Sequence, residues 1–209
     1  MLRGLRRPVS EGWAILGPLV VGSALAGMRD WRLGVGGLGL AAGVAAFLRD
    51  PERRVPACDA ALAPADGRVV EIATRREPYF GVEMLELSIF LALWNVHVQR
   101  APLSGRVVDV KVEAGAFRPA LLAEAAHNHR HAIYLETDWG PCVVTLMAGI
   151  LARRIVRWVE VGDAPRAGDR IGMIKFGSRV SLRVPAGCRP LVRVGEEVRA
   201  GLTPVAERG

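Results

Sequence analysis

Two stretches without a single charged residue, Gly12–Met28 and Leu33–Leu48, follow one another near the N-terminus, with only Arg29-Asp-Trp-Arg32 between them. Apolar runs of this length must leave water, either into a protein core or into lipid. Each falls just short of the ~20 residues that a perpendicular helix needs to cross a bilayer. As soluble elements they would be two buried core helices, and Gly-rich Leu33–Val44 is a poor helix by propensity. Gly and Ala are nevertheless common where membrane helices pack closely. Arg3, Arg6 and Arg7 precede the first run, and Arg49, Arg53 and Arg54 follow the second. These flanks predict a hairpin with both ends cytoplasmic. Arg29 and Arg32 in the turn argue against full crossing, and the short lengths fit a shallow, re-entrant hairpin as well as two spans. A cleaved signal peptide fits less well, because two comparable runs stand in succession. The expectation is an apolar helical hairpin anchored at the cytoplasmic face of the cell membrane, its basic flanks facing anionic head groups.

Pro51 and Pro56 end the helical part, so the predicted boundary lies at residue 55, with a second domain over 56–209. There the pattern changes to short strands between turns. Strands are predicted over 67–73, 84–93, 105–113, 132–137, 142–148, 179–184 and 191–194. A helix is predicted around Pro119–Ala126, with proline at its start. The fold class expected is α+β: a mainly antiparallel β body with one or two short helices, preceded by the hairpin. Two internal echoes stand out. Gly67-Arg-Val-Val-Glu-Ile recurs as Gly105-Arg-Val-Val-Asp-Val, and Val161-Gly-Asp-Ala-Pro-Arg-Ala-Gly168 as Val194-Gly-Glu-Glu-Val-Arg-Ala-Gly201. Neither has a sustained period, so a solenoid is excluded.

The net charge of +7 comes from 28 basic residues, all arginine except Lys111 and Lys175. No basic cluster with interleaved aromatics or nucleic-acid module accompanies it, so nucleic acid is not an expected partner. Cys58, Cys142 and Cys188 are odd in number and widely spaced, which points to a reducing compartment rather than a disulfide framework or zinc knuckle.

Few residues offer chemistry. His127, His129 and His131 alternate in Ala126-His-Asn-His-Arg-His131, where a strand would set them on one face for a metal. No carboxylate or cysteine completes a set, so a polar exposed loop is the expectation, with no metal. His97 lies in the apolar, β-like run Leu93-Trp-Asn-Val-His-Val-Gln-Arg-Ala-Pro102 and reads either as a satisfied core histidine or as a catalytic one. Asp66, in Pro64-Ala-Asp-Gly67, reads as a turn aspartate bonding its own backbone. Gly177-Ser178, in Ile171-Gly-Met-Ile-Lys-Phe-Gly-Ser-Arg-Val180, reads as a bulge between strands or as a self-processing bond whose serine attacks the preceding carbonyl.

Taken together these residues fall into one pattern. Phe47-Leu-Arg-Asp-Pro-Glu-Arg53, Pro64-Ala-Asp-Gly-Arg-Val-Val70, Trp94-Asn-Val-His-Val-Gln-Arg-Ala-Pro-Leu-Ser-Gly105, Gly149-Ile-Leu-Ala-Arg-Arg-Ile155 and Gly172-Met-Ile-Lys-Phe-Gly-Ser-Arg-Val180 occur in order. In order and spacing the chain closely resembles the phosphatidylserine decarboxylase family, in its short bacterial and archaeal form, over nearly its whole length.

The resemblance implies a proenzyme whose cofactor is a covalent pyruvoyl group made from Ser178. Ser178 Oγ would attack the Gly177 carbonyl, turning the amide into an ester. β-Elimination would release chain 1–177 and leave a dehydroalanine, and hydrolysis with loss of ammonia would leave a pyruvoyl group capping chain 178–209. It also implies a base histidine oriented by an aspartate, carried onto His97 and Asp66, and decarboxylation of phosphatidylserine to the ethanolamine lipid and CO2 through a Schiff base. His97 is then the expected acid that reprotonates the α-carbon. Longer bacterial members carry a second histidine where Arg100 stands here. The partners implied are an anionic phospholipid membrane, a serine phospholipid substrate and a second copy in a homodimer. The alternatives are a decarboxylase of another serine phospholipid, such as an ether-linked one, and a non-catalytic membrane-anchored β module.

Overall fold

The two uncharged, Ala- and Leu-containing runs form the body of a helical hairpin, α1 (Pro8–Arg29) and α2 (Trp31–Phe47). The computed structural model describes residues 8–115, 128–149, 154–175 and 178–209, and the chain divides into two compact units, Met1–Pro51 and Glu52–Gly209. Asp30 caps α2, its Oδ1 accepting the N–H of Arg32 at 2.9 Å, which satisfies one donor that a helix start leaves open. The glycines that weaken α2 by propensity are what let it approach α1. A Cβ on Gly34 would stand 2.7 Å from the Cα of Gly27, and one on Gly37 would collide with Ser23. Leu25, Met28, Leu33, Val35 and Leu40 remain exposed. Among the described residues no helix is long and apolar enough to cross a membrane.

The second unit is β throughout its described residues. Its strands are β1 (Ala61–Leu62), β2 (Gly67–Glu77), β3 (Val82–Leu91), β4 (Val98–Arg100), β5 (Gly105–Glu113), β6 (Arg130–Thr137) and β7 (Gly140–Ala148), followed by β8 (Arg154–Arg157), β9 (Arg170–Lys175), β10 (Ser178–Pro185), β11 (Arg189–Pro190), β12 (Glu197–Val198) and β13 (Pro204–Glu207). Seven form one sheet in the order β12-β2-β3-β10-β7-β6-β5, and two three-stranded sheets, β1-β13-β11 and β4-β9-β8, complete the unit. All pairings are antiparallel. β10 lies at the middle of the large sheet, in register with β3 over Ser178–Pro185 and with β7 over Ser178–Arg183. Alternation along it is strict. Val180, Leu182 and Val184 enter the main core with Leu87, Ile89 and Leu91 of β3, while Ser181 and Arg183 lie opposite Ser88 and Glu86 on the other face.

Both sequence echoes are one structural repeat. β2 and β5 each carry a bulge at the same point of the motif, between Val69 and Glu71 and between Val107 and Asp109. Each is bound by the partner echo in the same way: Gly195 N–H donates to Val69 O and Val69 N–H to Glu196 O, just as Gly162 N–H donates to Val107 O and Val107 N–H to Asp163 O. The two turn glycines share a left-handed φ, +96° at Gly162 and +98° at Gly195, a conformation that glycine adopts without penalty. Further on, Gly168 N–H reaches Ala101 O and Gly201 N–H reaches Ala63 O.

Some expectations need correction. Leu191–Val194 is not a strand: it follows Pro190 and runs into the turn at Gly195, with Leu191 and Val194 exposed. His131 belongs to β6, and both it and His129 are half-buried rather than in an exposed loop. The helix expected around Pro119–Ala126, and His127, lie outside the described residues.

Candidate active site

β3 ends at Leu91, and β10 begins at Ser178 directly opposite it. β4 and β9 continue the same antiparallel course, and Ile174 N–H donates to His97 O at 3.2 Å. The connection 92–97 is therefore held at both ends, by the pairing of Leu91 with Ser178 and by that of Val98 with Met173. His97 is the last residue of that connection. Phe176 and Gly177, between β9 and β10, lie outside the described residues.

His97 is fully buried. Its Nδ1 stands 2.9 Å from Asn95 O. A carbonyl oxygen only accepts, so Nδ1 carries the proton in this bond, which in the neutral form of the ring assigns the lone pair to Nε2. The connection that holds it is stiffened by Asn95, whose Oδ1 accepts from Ala92 N at 2.8 Å while its own N–H donates to Ala92 O. Gln99 Nε2 donates to His97 O from the following strand. Leu93 and Trp94 of the same connection are exposed, Trp94 by 76%.

On its other side Ser178 is in register with Ala148. Buried Asn128 donates from Nδ2 to Ala148 O at 2.8 Å, and Ala148 N–H donates to His129 O. The His129 and His131 rings stand 5.2 Å apart. Burial, with the charges of His129 and Arg157, pushes the His131 imidazole down to about 4, so it is neutral at physiological pH. Among the described residues no three His, Cys, Asp or Glu side chains converge on a metal site.

Asp66 is buried, and its hydrogen bonds are not with His97. Arg53 grips it with both terminal nitrogens, at 2.5 and 2.8 Å, and Ala200 N–H donates to its Oδ1 at 2.8 Å. The repeat explains the last bond: in the other half Ser104 Oγ accepts from Ala167 N at the equivalent position, 2.9 Å away. Asp66 therefore locks a turn across the chain rather than bonding its own. Arg53, expected among the basic residues facing lipid, is instead a buried partner of Asp66 with 6% of its side chain exposed. Arg100 is also buried, donating to Gly168 O at 3.0 Å. Arg53 and Asn95 stood inside the motifs without a role of their own, and Asn128 carried no signal; an amide or an arginine becomes informative only once its partner's place in the fold is known.

Comparison with known proteins identifies the family. The phosphatidylserine decarboxylase family profile matches residues 40–206. The phosphatidylserine decarboxylase proenzyme of Burkholderia mallei (strain SAVP1) is 41% identical over 207 residues, 94% of this chain and 93% of that protein. That of Paraburkholderia xenovorans (strain LB400) is 42% identical over 167 residues, 78% of this chain and 79% of that protein. The motifs that carry the resemblance fall inside the matched region, and the chain belongs to the phosphatidylserine decarboxylase family.

Proposed function

We propose that this chain is a phosphatidylserine decarboxylase that cuts itself between Gly177 and Ser178 and converts Ser178 into its pyruvoyl group. The observation that supports the reading is a buried imidazole, His97, on the connection that leaves β3 at Leu91, the residue paired with Ser178. A residue at a strand's first position, flanked on both sides by neighbouring strands, stays in the sheet when the peptide bond before it is cut, although its end is then less restrained. That suits a cofactor made from the chain itself. The pyruvoyl group supplies an electron sink for the electrons left when CO2 departs. His97 takes and returns the proton at Nε2, with Asn95 O holding its tautomer. Asp66 acts at one remove, bracing Arg53 and the turn at Ala200.

The substrate class, a serine phospholipid, is supported by family membership and by the exposed Leu93 and Trp94 next to His97, an apolar lip suited to acyl chains. The exposed apolar residues of the hairpin support membrane attachment at the cytoplasmic face by a shallow insertion, since an aromatic and aliphatic face of this kind partitions into the interface. The resemblance further supports pairing of two copies, which the solution mass by light scattering tests. Intact mass spectrometry tests the central reading. The wild type is expected as two chains, 1–177 and 178–209, the second bearing a carbonyl in place of an amine, and Ser178→Ala as one chain of 22.5 kDa. A wild type that stays whole, with an unmodified serine, would leave the non-catalytic module as the answer.

A further inference from the structure

The bulge in β2 has a specific effect on one carboxylate. Val69 lies opposite Ile89 and is buried in the main core, whereas Glu71, two residues on, lies opposite Ser88 on the other face. Unbulged, Glu71 would share the face of Val69; the extra residue turns it over, a known use of bulges. On that face Glu71 binds two arginines, Arg75 of its own strand and Arg179 of β10. Arg179 is the residue immediately after Ser178, and only 12% of its side chain is exposed. The contact is one end of a ladder: Arg75 approaches Glu86 at 3.6 Å, and Arg183 binds both Glu86, at 2.9 Å, and Glu77.

We propose that Glu71 is a positioning residue: through Arg179 it fixes the end of β10 that self-cleavage turns into a chain terminus. The inference rests on the reading of Ser178 given above. Before cleavage, residue 178 is held by peptide bonds on both sides. Afterwards only the bond to Arg179 remains, and a strand's terminal residue is where a sheet opens most readily. An ion pair at the adjacent residue, partly shielded from salt and water, restrains that end. The pyruvoyl carbonyl is borne by the terminal residue, so restraint at Arg179 becomes alignment at the reacting atom.

This placement separates two events. In the precursor the chain itself holds residue 178, so Glu71→Gln cleaves to completion like the wild type. In the mature enzyme the anchor is gone, and kcat falls by about ten- to a hundredfold while KM for phosphatidylserine in mixed micelles stays within about twofold. Glu71→Asp restores part of kcat. Arg179→Lys, which keeps the charge but loses the fork, gives the same split and serves if Glu71→Gln does not fold. Arg189→Ala, which removes the exposed Arg189–Glu207 pair elsewhere in chain 178–209, leaves both steps unchanged. A cleaved Glu71→Gln enzyme with wild-type kcat, or a kcat lost only in proportion to a fall in Tm, overturns the inference alone. An uncut wild type overturns the reading of Ser178 and the inference with it.

Discussion

Arg53 clasps Asp66 with two parallel hydrogen bonds, and the same arginine donates to Ala200 O at 2.7 Å. A buried bidentate pair of this kind leaves an uncompensated charge when either member is removed, at a cost of about 3–5 kcal/mol. Asp66→Ala and Arg53→Ala are therefore expected to lower the urea midpoint by similar amounts, and to lose self-cleavage only as they lose folding. Midpoints and intact masses of the two variants check this. An Asp66→Ala protein of unchanged stability that no longer cleaves would put Asp66 in the proton chain.

His97→Gln keeps a donor near Asn95 O but has no titrating lone pair. Decarboxylation by any cleaved His97→Gln protein is expected to drop by at least about 10²-fold, the usual contribution of a positioned acid or base. Mass spectrometry of the same sample separates this from a failure to cleave. Full activity in cleaved His97→Gln would remove His97 from the reaction.

Trp94 and Leu93 are expected to act on lipid and not on chemistry. Trp94→Ser should raise KM for phosphatidylserine in vesicles several-fold with kcat retained, because the interaction is the same in ground and transition states. A short-chain, water-soluble phosphatidylserine should show less difference.

Closeness of α1 and α2 depends on Gly34 and Gly37. Gly34→Leu would drive a branched side chain into Gly27 and force the hairpin apart. Weaker flotation with anionic vesicles, with decarboxylation of soluble substrate unchanged, is the expected result.

His131 sets an acid limb of stability. Its folded value of about 4 lies below the 6.5 of an unfolded histidine. As pH falls from 6.5 towards 4 the unfolded chain takes up a proton that the folded one refuses, so stability declines across that window and levels off below it. Glu71 adds a later loss. Burial raises its carboxyl, but Arg75 and Arg179 more than compensate and hold it below 4.5, so its contribution goes only as pH falls through that lowered value. His131→Gln should therefore flatten the urea midpoint between pH 7 and pH 5 and leave the steeper loss below it.

Strands long enough to show alternation were readable: Gly105–Glu113, Arg130–Thr137 and Gly140–Ala148 fall where the pattern predicts. The two-residue strands Ala61–Leu62 and Glu197–Val198 have no period to read, and Arg170–Lys175 is interrupted by Gly172. The hairpin and the antiparallel body followed from charge and alternation. Arg53 did not, because a basic residue next to an apolar run looks the same whether it faces lipid or a carboxylate. The bulge that turns Glu71 over is equally silent, since Val69 and Val70 suit either face. The paired echoes were visible as words; their common hydrogen bonds required the third dimension.

The central position of β10 decides what a cut before it would leave behind. Chain 178–209 would supply the middle strand of the large sheet and also β11, β12 and β13 at its margins and in a neighbouring sheet. It would be no detachable peptide: pulling it out means parting β3 from β7. The two pieces should therefore co-purify at any dilution, and separate only when the whole unit melts.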